Sequence, residues 1–171
     1  MRPPARHREV PRPHVAPPPF QRLLDGQRDA VWRYLVASVG REAADDCFQE
    51  TFLAALRAWP RTGRLENPRA WILTIAHHKA LDHHRARARR PVPVGAVPDR
   101  PAPEEAPGVR LEGALWDRVR TLPPKQRGAV LLRVAGELTH AEVARALGTS
   151  EEAARRSAHE GLKKLRKELA A

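Results

Sequence analysis

The chain has 171 residues, 31 of them Lys or Arg against 20 Asp or Glu, which gives a formal net charge of +11. That length holds one ordinary domain or two small ones, and the cationic surplus draws the protein to polyanions with a strength that falls as salt rises. Nucleic acid leads as partner and an anionic membrane surface comes second; a lone cysteine, Cys47, excludes a disulfide framework or cysteine-based zinc site and fits a reducing cytosol.

Residues 1–18 form a basic arm, and the first 19 residues carry seven prolines with no continuous apolar run. Such a segment buries too little to offset the entropy of ordering it, so a disordered arm is expected, with neither signal peptide nor membrane-spanning stretch. A first helical domain is expected over 19–90. Phe20, Leu23, Leu24, Val31, Tyr34, Leu35 and Val39 recur at helical intervals, and Gly40 marks the stop. Ala44, Cys47, Phe48, Phe52, Ala55, Leu56 and Trp59 then share one face of a second helix, which Pro60 is expected to end. Its opening is acidic, with Glu42, Asp45, Asp46 and Glu50 placed to suit the helix dipole.

Asn67 followed by Pro68 predicts the N-terminus of a third helix, whose buried face holds Trp71, Ile72, Ile75 and Ala76. Beyond them the helix turns polar and basic through His77, His78, Lys79, Asp82, His83, His84, Arg85, Arg87, Arg89 and Arg90. One domain thus carries an acidic and an electropositive surface, which suggests two different partners. Six prolines between Pro91 and Pro107, with no apolar period among them, predict a flexible linker over 91–110.

The last unit, 111–171, starts with an amphipathic segment carrying Leu111, Leu115, Val119 and Leu122, ended by Pro123 and Pro124. A helix with Ala129, Val130, Leu131, Leu132 and Val134 runs to Gly136. Thr139 and Glu142 are spaced as a capping box, and Leu138 can staple onto Val143. Leu147-Gly148 is a left-handed C-cap signal, and Thr149 or Ser150 can cap the helix that follows from Glu151 towards Leu169. A short helix, a glycine turn and a second helix make a helix-turn-helix, with Arg155, Arg156, His159, Lys163, Lys164, Arg166 and Lys167 on the second. The fold class expected is therefore all-α: two small helical domains joined by a Pro-rich linker, the C-terminal one a helix-turn-helix.

Three runs resemble one family. Ala44-Asp45-Asp46-Cys47-Phe48-Gln49-Glu50-Thr51-Phe52-Leu53-Ala54-Ala55-Leu56 is similar to the polymerase-binding segment of the extracytoplasmic-function group of the sigma-70 family. The run from Asn67-Pro68-Arg69-Ala70-Trp71 to Asp82 resembles the segment that melts and holds the minus-ten element. Leu122-Pro123-Pro124-Lys125-Gln126-Arg127 through Leu138-Thr139 and Leu147-Gly148 resembles the domain that reads the minus-thirty-five element.

The resemblance implies a factor that binds core RNA polymerase and promoter DNA in the cytoplasm, admits an anti-sigma factor as a third partner, and needs no cofactor or small-molecule substrate. Polymerase binding falls to Asp45, Asp46, Gln49, Glu50 and Leu53. Minus-ten DNA falls to Arg61, Asn67, Arg69, Trp71, Thr74, His78, Lys79 and Arg85, and minus-thirty-five DNA to Thr139, Ser150, Arg155, Arg156, His159 and Lys163. The chain departs from the family where His77-His78 replaces the common Arg-Asn. In the last helix Ala154 and Ala158 stand for bulkier aliphatics, which implies looser packing or a different target, and Glu160 occupies a position often basic.

Each feature also has a plainer reading. The acidic set can be a solvated face, and Trp59 and Trp71, although able to stack on unpaired bases, lie on apolar stripes. Cys47 sits among hydrophobes, which favours packing over redox chemistry. His78 and Asp82 are the one i, i+4 ligand pair among the histidines, so no metal site is expected. No catalytic group is expected either. An autonomous helix-turn-helix regulator, and a polymerase-binding protein with weakened promoter reading, remain alternatives.

Overall fold

The computed structural model describes residues 19–62, 65–89 and 115–170. The basic arm, Arg90, the whole linker 91–110 and Leu111 lie outside them. Every regular element among the described residues is helical: α1 (Phe20–Val39), α2 (Arg41–Thr62), α3 (Pro68–Arg89), α4 over 115–121, α5 (Pro124–Val134), α6 (His140–Leu147) and α7 (Glu151–Leu169). The protein is all-α and made of two small helical units, α1–α3 and α4–α7.

In the first unit the three helices pack on one another in every pairing. Leu23, Val31, Tyr34 and Leu35 of α1 meet Cys47, Phe52, Ala55 and Trp59 of α2 and Ile72, Leu73 and Ala76 of α3. Phe20 and Trp59 meet edge to face, their centroids 5.6 Å apart, and Phe48 and Phe52 tilt together at 4.8 Å. Two expectations on α2 need correction. Pro60 does not end the helix, which continues to Thr62. The proline ring fixes a helical φ and removes only the bond to the Leu56 carbonyl, on the exposed side where water can take it. Leu56 itself is 49% exposed and lies with Gln49 and Leu53, not on the buried stripe.

Helix α3 also departs from its expected pattern. Its buried residues are Ile72, Leu73, Ala76, His77 and Ala80, whereas Trp71 and Ile75 are half-buried. The cause is the second unit, which lies against α3 on the side away from α2, so α3 is covered from two directions. Leu73, His77 and Ala80 therefore become core, and His77 is not part of the electropositive end.

The second unit is built around α5. Pro124 begins α5 instead of merely stopping the segment before it, because its missing N–H is one that a helix start leaves unpaired anyway. Ala129, Val130, Leu131 and Leu132 are buried between α7 and the first unit. Helix α6 opens with both halves of the Thr139–Glu142 capping box and closes at Gly148, whose φ of 62° is left-handed. Leu138 and Val143, the two ends of the expected staple, are both buried. Ala154 and Ala158 are covered on the inner side of α7, which packs on both α5 and α6.

The two units share one continuous apolar core. Gly128 of α5 sits over His77, where an added Cβ would come within 2.9 Å of the ring. Burial pushes the Tyr34 phenol up, so it stays protonated, and its oxygen shares a hydrogen bond with Nδ1 of His77 at 2.8 Å. Burial, with His78 and Arg127 nearby, lowers the His77 pKa to about 4, so the ring is neutral beneath the second unit.

Candidate polymerase and nucleic-acid interface

Helix α2 buries Ala44, Cys47, Thr51, Phe52 and Ala55 and thereby turns Glu42, Asp45, Asp46, Gln49, Glu50 and Leu53 to solvent. Leu53 is 51% exposed and Leu56 nearly as much, an apolar pair beside a row of carboxylates. Isolated exposed leucines need no explanation, but two adjoining ones framed by charge form a surface suited to a partner. All five residues expected to bind polymerase share this face. Leu56 joins them and was missed because its apolar character matched the buried stripe.

The expected minus-ten residues divide. Asn67, Trp71 and Thr74 follow one another at i, i+4 and i+7 along α3 and line an open pocket of about 560 Å³ with Leu65, Glu66, Ala70, Glu142 and Arg145. Trp71 is half-buried there, its ring 6.0 Å from Trp59 beneath it. One face is held by packing while the other is left for contact. The Thr74 hydroxyl donates back to the Ala70 carbonyl at 2.8 Å, which orients it locally. His78 continues the same side of the helix and is exposed.

Others stand apart from that pocket. Lys79 turns towards α2 and pairs with Glu50 at 3.4 Å, joining an expected strand-holding residue to an expected polymerase-binding one. Arg85 pairs with Asp82 at 3.2 Å and, with Lys125 and Arg156, edges a second cleft of about 520 Å³ between the units. Arg61 is exposed near the end of α2 and lines neither cleft.

In the helix-turn-helix, two expected DNA contacts are used structurally. Thr139 accepts from the Glu142 N–H at 3.3 Å as N-cap of α6, and Ser150 accepts from the Ala153 N–H at 3.2 Å as N-cap of α7. Arg155 and Arg156 are exposed and pair with Glu151 and Glu152 one turn back, at 3.1 and 2.7 Å. Arg155, His159 and Lys163 form an outward stripe at i, i+4 and i+8, whereas Arg156 faces the cleft towards the first unit. Among the described residues no group of His, Cys, Asp or Glu could hold a metal ion. No described helix is long and apolar enough to cross a membrane.

One contact set has no counterpart in the expected sites. Glu142 and Glu137 of the second unit reach across to Asn67 and Arg69, at 2.5 and 2.6 Å. Glu142 was legible only as a cap and Glu137 carried no pattern at all. A trace of the latter lies in Gly136-Glu137, where the chain reverses after α5 and Glu137 takes a positive φ of 58°.

The fold and these surfaces define a two-unit helical protein with a helix-turn-helix and a separate acidic, solvent-facing surface. Residues 23–90 match the family model for Sigma-70 region 2, and residues 112–165 that for Sigma-70, region 4. The ECF RNA polymerase sigma factor SigD of Mycobacterium tuberculosis strain H37Rv is 34% identical over 164 residues, covering 89% of this chain and 77% of SigD. The ECF RNA polymerase sigma factor BldN of Streptomyces coelicolor is 38% identical over 142 residues, covering 77% of this chain but only 53% of BldN. The sigma factor RpoE of Bartonella quintana, solved in complex with the anti-sigma factor NepR, shares the fold at a TM-score of 0.73 and 19% identity, covering 89% of this chain and 97% of RpoE. The chain belongs to the sigma-70 family of RNA polymerase sigma factors, in its extracytoplasmic-function group.

Proposed function

We propose that this protein joins core RNA polymerase in the cytoplasm and directs it to promoters, with catalysis left to the polymerase. The observation that carries the reading is the separation of surfaces on one small unit. Asp45, Asp46, Gln49, Glu50, Leu53 and Leu56 face outward from α2, while Asn67, Trp71, Thr74 and His78 run along α3. The first set suits docking on a protein partner. In the second, an aromatic face, an amide and a hydroxyl beside exposed cations suit an unstacked base and its phosphates.

The second unit supplies the upstream contact. Arg155, His159 and Lys163 project from α7 as a basic stripe that a major groove can accept, while the capped ends hold the helix pair rigid. Residues 91–110 join the units as a linker, so the two DNA elements can be held at once. An anti-sigma protein is a further partner that fits this reading, as the similar RpoE is solved in complex with the anti-sigma factor NepR.

In vitro transcription with purified core polymerase and a genomic fragment library tests the reading. Defined start sites that depend on this protein support it. Polymerase binding without initiation favours a partner protein with no promoter reading, and duplex binding without polymerase favours an autonomous regulator.

A further inference from the structure

The cleft of about 520 Å³ between the units has the volume of a small-molecule site and a lining of two kinds. Leu81, Pro124 and Leu147 make one part of it apolar. Arg85 of α3, Lys125 of α5 and Arg156 of α7 bring positive charge to it from three helices, and none of its lining residues is acidic. Arg85 and Arg156 each pair with a carboxylate on their own helix, at 3.2 and 2.7 Å, which steadies the guanidinium yet leaves it further N–H donors. Lys125 makes no ion pair among the described residues. The most buried group in the wall is His77, 5% exposed. Its Nδ1 is taken up by Tyr34 at 2.8 Å, while Nε2 has no hydrogen-bond partner among the described residues.

We propose that this cleft binds a nucleoside diphosphate, with the base against the leucines and the phosphates held by Arg85, Lys125 and Arg156. Cations alone would suit any small anion, and leucines alone any apolar molecule. The two together fit a ligand that is charged at one end and carries a flat ring at the other. Three cations exceed what a single phosphate group requires and suit a diphosphate, the two guanidinium forks meeting its oxygens in pairs and Lys125 acting as a point charge. The Ser157 hydroxyl and His77 Nε2 remain for polar atoms of the sugar and base. The start of α5, which has no side-chain cap, adjoins the same rim and adds the positive end of its dipole. DNA is the other polyphosphate to consider, but Arg156 faces away from the outward stripe of Arg155, His159 and Lys163. The cleft is therefore not a continuation of the surface read as meeting the major groove. Because both units line it, a ligand there stabilises the folded two-unit arrangement. The nucleotide is bound and not transformed.

The test is isothermal titration of the full-length protein with ADP in about 0.15 M salt, where loose attraction between surface charges is largely screened. Inorganic pyrophosphate supplies the charge without the ring, and adenosine the ring without the charge. Lys125→Ala removes an exposed cation of the cleft, so the fold is kept, and circular dichroism checks it. The control, Lys164→Ala/Lys167→Ala, removes two exposed charges from α7 that do not line the cleft. The expected result is saturable binding of ADP, about tenfold or more tighter than either fragment. Lys125→Ala should weaken it about tenfold, the usual loss with one charged hydrogen bond, and the control should leave it unchanged. Amide resonances of Gly148, Thr149 and Ser157 should shift as ADP is added. Absence of saturation overturns the proposal. Pyrophosphate binding as tightly as ADP overturns it too, because the ring then has no seat, and equal losses in Lys125→Ala and the control would reduce the cleft to bulk charge. Promoter-directed initiation is measured separately, so failure of either reading leaves the other standing.

Discussion

The two basic helices, α3 and α7, are built on opposite principles. Helix α7 buries one narrow stripe, Ala154, Ala158, Gly161 and Leu165, flanked by half-buried Ala153, Ser157 and Leu162, and turns its basic residues to water. Its apolar period and its basic face are both plain in the sequence. Helix α3 is covered by α1 and α2 on one side and by the second unit on another, so its buried stripe is broader, running through Ile72, Leu73, Ala76, His77 and Ala80, and includes a histidine. A stripe widened by a second packing partner takes in residues, His77 among them, whose polar character hides their burial. The same enclosure explains why α3 presents a lined pocket and α7 an open stripe.

The largest effect should come from the face that neither helix shares. Reversing Asp46 and Glu50 to Lys removes the acidic row on α2 and places a second cation against Lys79. Like charges set against a complementary partner cost several kcal/mol, so affinity for core polymerase should fall by about a hundredfold or more. A pull-down with purified core polymerase measures it, and circular dichroism should show unchanged helicity. Retention of wild-type binding would make this face merely solvated.

Next is the enclosed histidine, which separates α3 from α7 by pH. The His77 pKa is lowered to about 4, first by burial and then by its neighbours His78 and Arg127. The unfolded chain, with an ordinary value near 6.5, therefore binds the proton first as pH falls. Stability contributed by neutral His77 is complete above pH ~6.5 and is lost progressively towards pH ~4, amounting to about 3 kcal/mol across that window. His84, also lowered by burial, adds in the same direction. The difference between wild type and His77→Gln isolates the effect. Urea unfolding at several pH values should give wild type the steeper loss, and equal slopes would show that His77 is not buried as described.

A smaller effect tests the division of tasks between the two helices. Arg155 and His159 project from the front of α7, where a good base contact discriminates by about 1–3 kcal/mol. Their replacement by Ala should relax selectivity for the upstream element and leave opening of a pre-melted template intact. Replacing Lys79 and Arg85 should do the reverse, as read by permanganate reactivity of unpaired thymines. Identical phenotypes that scale only with salt and lost charge would reduce both surfaces to non-specific electrostatics.

The helices and the turn chemistry were legible because they depend on neighbours in sequence. The Asn67-Pro68 start, the Thr139–Glu142 box and the Gly148 C-cap all stand where the pattern places them. The exposed acidic face of α2 was legible too, apart from Leu56. Contacts that depend on the approach of the two units were not: the burial of Leu73 and His77, the seat of Gly128 and the reach of Glu137 to Arg69 are set across long stretches of chain. No local rule marks a glutamate whose partner lies 68 residues away. Lys79 shows the same limit, since its position on the basic helix gave no sign of its pairing with Glu50.

The smallest effect concerns Ser150, where the family resemblance and the geometry assign different work to one hydroxyl. The resemblance implies a DNA contact, whereas the structure has the oxygen accept from the Ala153 N–H as the N-cap of α7. The two roles respond differently to the same pair of substitutions. Ser150→Ala removes the cap and should cost about 1 kcal/mol of stability, and Ser150→Asn, a comparable capping residue, should restore it. If capping is the whole role, upstream DNA binding follows stability, falling slightly in Ala and returning in Asn. If the hydroxyl also meets the DNA, Asn restores the melting temperature but not the affinity, because its longer amide cannot stand where the hydroxyl stood. Thermal unfolding and duplex binding measured on the same two variants therefore separate a helix that is only held in place from one whose start also touches its target.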